Sequence, residues 1–173
     1  GLEMYLKLLN EVVDEQKGIE PEEVVDDQAI LSKRKIDKMF ISNDEVRLEI
    51  HKRIANIKNL NQINNLIIEL EDRFGYVEEE LKESMYEKLF YKLSNKIGVI
   101  KIDKTSTDIT LIISEQMSKK IDGVKLFTTI EETNYQINLK YINNNIHITL
   151  VYEGTKENYL YQINNYLSLI LAN

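Results

Sequence analysis

At Gly98 the spacing of apolar side chains changes from a period of about 3.6 residues to a period of two, and that switch decides the class of fold. Before it, Leu60, Ile63, Ile67, Leu70 and Phe74 recur at steps of three and four, as do Val77, Leu81, Met85, Leu89 and Leu93. After it, Ile100 and Ile102 alternate with Lys101 and Asp103, and Ile109, Leu111 and Ile113 alternate with Thr110. Helices followed by strands within one core predict an α+β fold: N-terminal helices, then a mainly antiparallel sheet with inserted and C-terminal helices.

Boundaries follow from capping and turn chemistry. Leu2, Tyr5, Leu9, Val12 and Gln16 predict a first helix, stopped by Gly18 and Pro21. The acidic stretch Ile19 to Asp27 reads as a solvated linker, and Ala29 to Phe40, with Lys33, Arg34 and Lys35, as an extended connector. Residues 1–40 are therefore separated from a domain over 41–173. Ser42 and Glu45 have the spacing of a capping box, which predicts a helix starting there with Arg47, Ile50, Ile54 and Ile57 along its stripe. Asn59 interrupts it, and Gly75 closes the helix Leu60 to Phe74. Glu78, Glu79 and Glu80 open the third helix, where the dipole favours negative charge.

In the strand half, Lys104 to Thr107 form the turn of a hairpin, Glu115 to Ile121 a short helix and Val124 to Thr128 a strand. Tyr135 to Tyr141 and Ile146 to Tyr152 form a second antiparallel pair around Asn143-Asn144-Asn145, with their tyrosines as cross-strand packing partners. Gly154 ends that pair. Thr155 and the stripe Leu160, Ile163, Leu167 and Ile170 give a closing helix.

Projected around the Leu60 to Phe74 helix, Glu69 and Asp72 fall nearly opposite the apolar stripe and Arg73 on its flank. Spacing alone is satisfied by local pairs on a solvated face. Elsewhere the chain offers little chemistry. None of the six glycines opens a phosphate-cradling loop, there is no cysteine, and neither His51 nor His147 has a neighbour at metal-ligand spacing. With 29 acidic against 22 basic side chains, a net charge of −7 argues against a broad hold on phosphate backbones. The absence of cysteine fits a reducing cytosol, no signal peptide opens the chain, and no apolar run approaches the ~20 residues that span a bilayer. The start at Gly1, inside an amphipathic pattern, suggests a piece of a longer polypeptide.

Four islands of sequence carry a resemblance. Arg47-Leu48-Glu49-Ile50-His51-Lys52-Arg53-Ile54-Ala55 is similar to R-L-x-x-Y-K-R-I-A, and Glu69-Leu70-Glu71-Asp72-Arg73-Phe74-Gly75 to E-L-x-D-R-F-G, both of the C-terminal domain of bacterial transcription-repair coupling factors. Gly1-Leu2-Glu3-Met4-Tyr5 with Leu8 and Leu9, and Leu93 with Ile97-Gly98-Val99-Ile100-Lys101-Ile102, resemble two further stretches of that family in the same order. The likeness extends to about Ile102. His51 stands in place of a tyrosine, Glu71 in place of an apolar residue, and the proline usual after Gly75 is missing.

The resemblance implies a non-catalytic part of an ATP-driven DNA translocase that displaces stalled RNA polymerase and recruits UvrA. It implies no cofactor in this segment, with ATP and Mg bound by a motor elsewhere, and a cytoplasmic bacterial setting without membrane contact. It further implies docking on an N-terminal UvrB-like module of the same protein, masking the UvrA-binding surface, through Glu69, Asp72 and Arg73. The alternative is an accessory nucleic-acid-binding module using Lys33 to Lys35, Arg47, Lys52, Arg53 and the strand tyrosines. A carboxylate-pair enzyme comes third, with no convergent acid and base to name.

Overall fold

The computed structural model describes residues 41–172. The first helix, the acidic linker and the extended connector with its basic triplet lie outside the described residues. In chain order the elements are α1 (Asp44–Ala55), α2 (Leu60–Phe74), α3 (Glu79–Ile97), β1 (Val99–Lys104), β2 (Asp108–Ile113), α4 (Glu115–Lys120), α5 (Gly123–Thr133), β3 (Ile137–Ile142), β4 (Asn145–Val151) and α6 (Tyr159–Leu171). This is the expected α+β order. The described residues divide into two compact units, 41–92 and 93–172, with the boundary inside α3.

In the first unit, the start of α1 differs by one residue from its expectation. Asn43, not Ser42, is the cap, its Oδ1 accepting from the backbone N–H of Val46 at 3.0 Å. Ser and Asn are comparable caps, so the S-x-x-E spacing did not decide between neighbours. Ile50 and Ile54 are buried, while Arg47 lies part-buried at the edge and donates from Nη1 to the Ile41 carbonyl at 2.6 Å. Asn59 caps α2 by accepting from the Gln62 N–H at 2.9 Å, and Gly75 ends it at φ +89°, a left-handed conformation that glycine adopts without strain. A side chain from α3 meets the last carbonyl of α1 and one in the turn after it: Lys92 Nζ donates to Ala55 O at 2.8 Å and Ile57 O at 2.7 Å.

The second unit is built on a four-stranded antiparallel sheet in the order β1-β2-β4-β3. Ile109 and Leu111 of β2 stand opposite Leu150 and Ile148 of β4, and all four are buried. On the other face Thr110 and Thr149 share a hydroxyl hydrogen bond of 2.8 Å. Asn143 and Asn144 form the two-residue turn between β3 and β4 with φ of 51° and 69°, the left-handed pair such a turn requires and asparagine tolerates. Buried Leu160, Ile163, Tyr166 and Leu167 give α6 its core face.

Two expectations are corrected in this unit. Residues 124–128 form the first half of α5, not a strand. Asp122 accepts from the N–H groups of Val124 and Lys125, which starts a helix, and burial of Leu126 and Thr129 holds it; a β-branched and aromatic run loses to a cap plus a helical burial pattern. The tyrosines are cross-strand neighbours only in part: Tyr141 of β3 stands opposite Ile146 of β4, whereas Tyr135 and Tyr152 lie outside the two strands. Tyr141 is exposed, Tyr135 accepts from Asn165 Nδ2 at 3.0 Å, and Tyr152 stacks on Tyr159 at 4.8 Å beneath the ammonium of Lys104. Among the described residues no helix is long and apolar enough to cross a membrane.

Candidate functional site: a charge ladder and a cavity on one helical hairpin

The buried stripe of α2 is Ile63, Leu66 and Leu70, with Leu60, Ile67 and Phe74 only partly covered. That rotates the helix from its sequence-based orientation and brings Glu69 from the far side to the flank beside α1. Each helix carries Glu-x-x-x-Arg, a spacing that puts both charges on one side: Glu49 and Arg53 on α1, Glu69 and Arg73 on α2.

The four charges interlock. Arg53 Nη1 donates to Glu69 Oε2 at 2.5 Å, Arg73 Nη1 lies 3.2 Å from the same oxygen, and Arg73 Nη1 lies 3.5 Å from Glu49 Oε1. Residue 49 meets 73 and residue 53 meets 69, so α1 and α2 run antiparallel at this level. The hydrogen bond from Arg53, joined by the positive charges of Arg53 and Arg73, holds the Glu69 carboxyl below the usual carboxylate range. The same bond raises the already high value of Arg53.

Of the three expected site residues, Glu69 and Arg73 are thus brought together within this ladder, whereas Asp72 is exposed on the next position and makes no ion pair among the described residues. Glu71 is likewise exposed. Glu49 and Arg53 are the members that sequence reasoning missed. The repeated Glu-x-x-x-Arg on consecutive helices was the signal, and it becomes informative only once the hairpin is closed.

Next to the ladder lies a cavity of about 340 Å³ lined by Arg53, Asn56, Ile57, Gln62, Asn65 and Leu66. Asn56, Gln62 and Asn65 are exposed and form its mouth, while Ile57 and Leu66 are buried and form its base. Among the described residues no three His, Cys, Asp or Glu side chains are grouped so that they could hold a metal ion. The two arginines of α1 are engaged locally, Arg47 with Asp44 and Ile41 O, Arg53 with Glu69, whereas Lys52 is exposed.

Comparison with known proteins gives a consistent result. The family model described as "TRCF domain" matches residues 32–124, more than half of the chain. The transcription-repair-coupling factor of Bacillus subtilis (strain 168) is 27% identical over 158 residues, covering 89% of this chain and 13% of that protein. That of Staphylococcus aureus (strain USA300) is 30% identical over 163 residues, covering 91% of this chain and 13% of that protein. The chain therefore spans about 13% of the length of these relatives. A solved structure, the crystal structure of the C-terminal domain of a transcription-repair coupling factor, shares the fold with a TM-score of 0.59 at 20% identity, over 78% of this chain and 82% of that one. With the family match covering α1 to the start of α5, which includes the whole charge ladder, the chain belongs to the TRCF domain family of transcription-repair coupling factors.

Proposed function

We propose that this chain is a non-catalytic regulatory domain of a transcription-repair coupling factor, which docks on an N-terminal UvrB-like module of the same protein and masks the surface that binds UvrA. Glu69, Asp72 and Arg73 form the docking face. Translocation on DNA, ATP and Mg binding and contact with RNA polymerase belong to other parts of the longer protein, in a bacterial cytoplasm.

The observation that carries this reading is Asp72: an exposed carboxylate with no ion pair among the described residues, set beside a ladder that holds Glu69 and Arg73. Charged groups held by their own scaffold suit a reversible contact of defined orientation, because little side-chain freedom remains to be lost on docking. Engagement of Arg47 and Arg53 with carboxylates weighs against the nucleic-acid alternative.

The test is a binding titration of the N-terminal module against this chain and against Asp72→Lys. Reversing an exposed charge in a docking contact should weaken binding by roughly tenfold, the sum of a lost pair and a new repulsion. Unchanged affinity would remove Asp72 from the contact. Deleting the domain from the full-length protein should expose UvrA binding, and persistent masking would overturn the regulatory role.

A further inference from the structure

The cavity between the end of α1 and the first turns of α2 is weighted toward hydrogen-bond donors and carries a positive charge from Arg53. Arg53 can only donate; Nη1 is spent on Glu69, and Nε and Nη2 have no acceptor among the described residues. Gln62 accepts from the Lys58 N–H through Oε1 at 2.6 Å, so its amide presents the NH2 group. Asn65 has no side-chain hydrogen bond among the described residues and can turn its amide NH2 toward the same space. Asn56 donates one Nδ2 N–H to Lys52 O, which leaves its second N–H and its Oδ1 at the rim of the same cavity. Arg53, Gln62 and Asn65, three side chains able to donate, thus line a cavity whose apolar members are the buried Ile57 and Leu66.

We infer that this cavity is a receptor for a glutamate side chain of a protein partner, its carboxylate held by Arg53, Gln62 and Asn65 and its methylene stem lying on Ile57 and Leu66. A cation is disfavoured by the guanidinium. A neutral amide would forgo the charge-assisted hydrogen bond that Arg53 gives a carboxylate. Phosphate carries more charge than one partly neutralised arginine can balance, and Glu69 and Glu49 stand in the same network. The volume of about 340 Å³ lies at the small end of the roughly 300–1,000 Å³ typical of ligand sites, which suits one side chain rather than a nucleotide. The inference stands apart from the docking reading, because it names a pocket chemistry and requires no particular partner.

The experiment follows the side-chain amide signals of Gln62 and Asn65 and the Arg53 Nε–H signal by NMR, using the whole chain. N-acetylglutamate N-methylamide, its glutamine counterpart and inorganic phosphate are titrated separately. Saturable shifts of the three signals with the glutamate probe are expected, with at least roughly tenfold weaker response to the glutamine probe, the factor expected when charge-assisted hydrogen bonds become neutral ones. Asn65→Asp, at an exposed position without side-chain bonds to lose, should weaken the glutamate probe by a similar factor and leave the remaining spectrum in place. Equal response to the glutamine probe, tighter binding of phosphate, or an Asn65→Asp variant that binds as well as the parent would each overturn the assignment. Because no N-terminal module enters the experiment, its failure is distinct from failure of the docking titration.

Discussion

Replacing Glu69 by Gln tests the ladder most directly, since this carboxylate is the shared acceptor of two arginines. Its contacts of 2.5 Å to Arg53 and 3.2 Å to Arg73 are close, but the side chains of Glu69 and Arg53 are each 39% exposed, so water screens them substantially. Exposed pairs contribute about 0.2–1 kcal/mol each, and with two pairs meeting at one oxygen Glu69→Gln should cost about 1 kcal/mol. Combined with Arg53→Met in a double-mutant cycle, the coupling energy should be about 0.5–1 kcal/mol. It should shrink markedly between about 0.01 M and 1 M salt, where the screening length falls from roughly 30 Å to 3 Å. Urea unfolding followed by far-UV circular dichroism supplies the free energies. Asp72→Asn is the internal control, with an expected change within about 0.5 kcal/mol. The acid limb adds a sign: a folded-state value held below the ordinary 4.5 stabilises above that pH, so the difference between parent and Glu69→Gln should be full at pH 7 and fade as the pH falls below 4.5. A coupling of zero at low salt, or an Asp72→Asn loss as large as that of Glu69→Gln, would refute the reasoning.

Other perturbations probe the scaffold. Lys92→Met removes the donor that meets the carbonyls of Ala55 and Ile57 and should cost about 1–3 kcal/mol in the same unfolding assay; a neutral result would show that water replaces it without loss. Gly98 has φ +94°, and an added Cβ would lie 2.5 Å from Met117 Cγ, so Gly98→Ala should cost about 2–4 kcal/mol from backbone strain and overpacking together. Gly75 has φ +89° but open space around it, and Gly75→Ala should cost only about 1 kcal/mol; equal losses at the two glycines would contradict the packing argument. Burial holds His147 below the ordinary imidazole value of 6.5, with Lys140 acting in the same sense and Asp103 against it. Its neutral form therefore contributes stability that is complete above pH 6.5 and declines as the pH falls toward its folded value, and His147→Asn should flatten that limb of a stability-against-pH curve.

The limits of α2 were readable because a cap residue, an apolar period and a glycine coincide: Asn59, the Ile63 to Leu70 stripe and Gly75 each report on local backbone chemistry. The hairpin of β3 and β4 was readable for the same reason, through its asparagine turn. Where local preference and tertiary burial disagree, the reading failed. Val124, Phe127 and Thr128 favour a strand, but Asp122 and the buried faces of Leu126 and Thr129 select α5. Ile67 and Phe74 have the hydrophobicity of core residues, yet Leu66 is the one buried, and that small rotation moved Glu69 from an imagined open face to a pairing position. The cavity had no sequence signature at all. It depends on Gln62 reaching back to the Lys58 amide, a contact that exists only after the α1–α2 turn has formed.

This rotation changes which substitutions can report on docking. A cation arriving at Glu69 would have to compete with Arg53 and Arg73, whose attraction for that carboxylate is already realised in the isolated chain. At Asp72 it would meet a charge that no neighbour among the described residues offsets. Reversal of Glu69 therefore disturbs the hairpin and any docking contact at once, and a weakened complex would not tell the two apart. Reversal of Asp72 leaves the ladder and the Ile63, Leu66 and Leu70 core untouched. On the docking reading, the two classes of side chain have different duties: Glu69, with Arg53 and Glu49 behind it, fixes where Arg73 stands, and Asp72 supplies the uncompensated charge. Asp72→Lys should accordingly change the dissociation rate of the complex while leaving the urea midpoint of the chain in place, whereas Glu69→Lys should lower both the midpoint and the affinity. If Asp72→Lys also lowered the midpoint by as much as Glu69→Lys, Asp72 would belong to the scaffold and the docking face would have to be sought elsewhere on the hairpin.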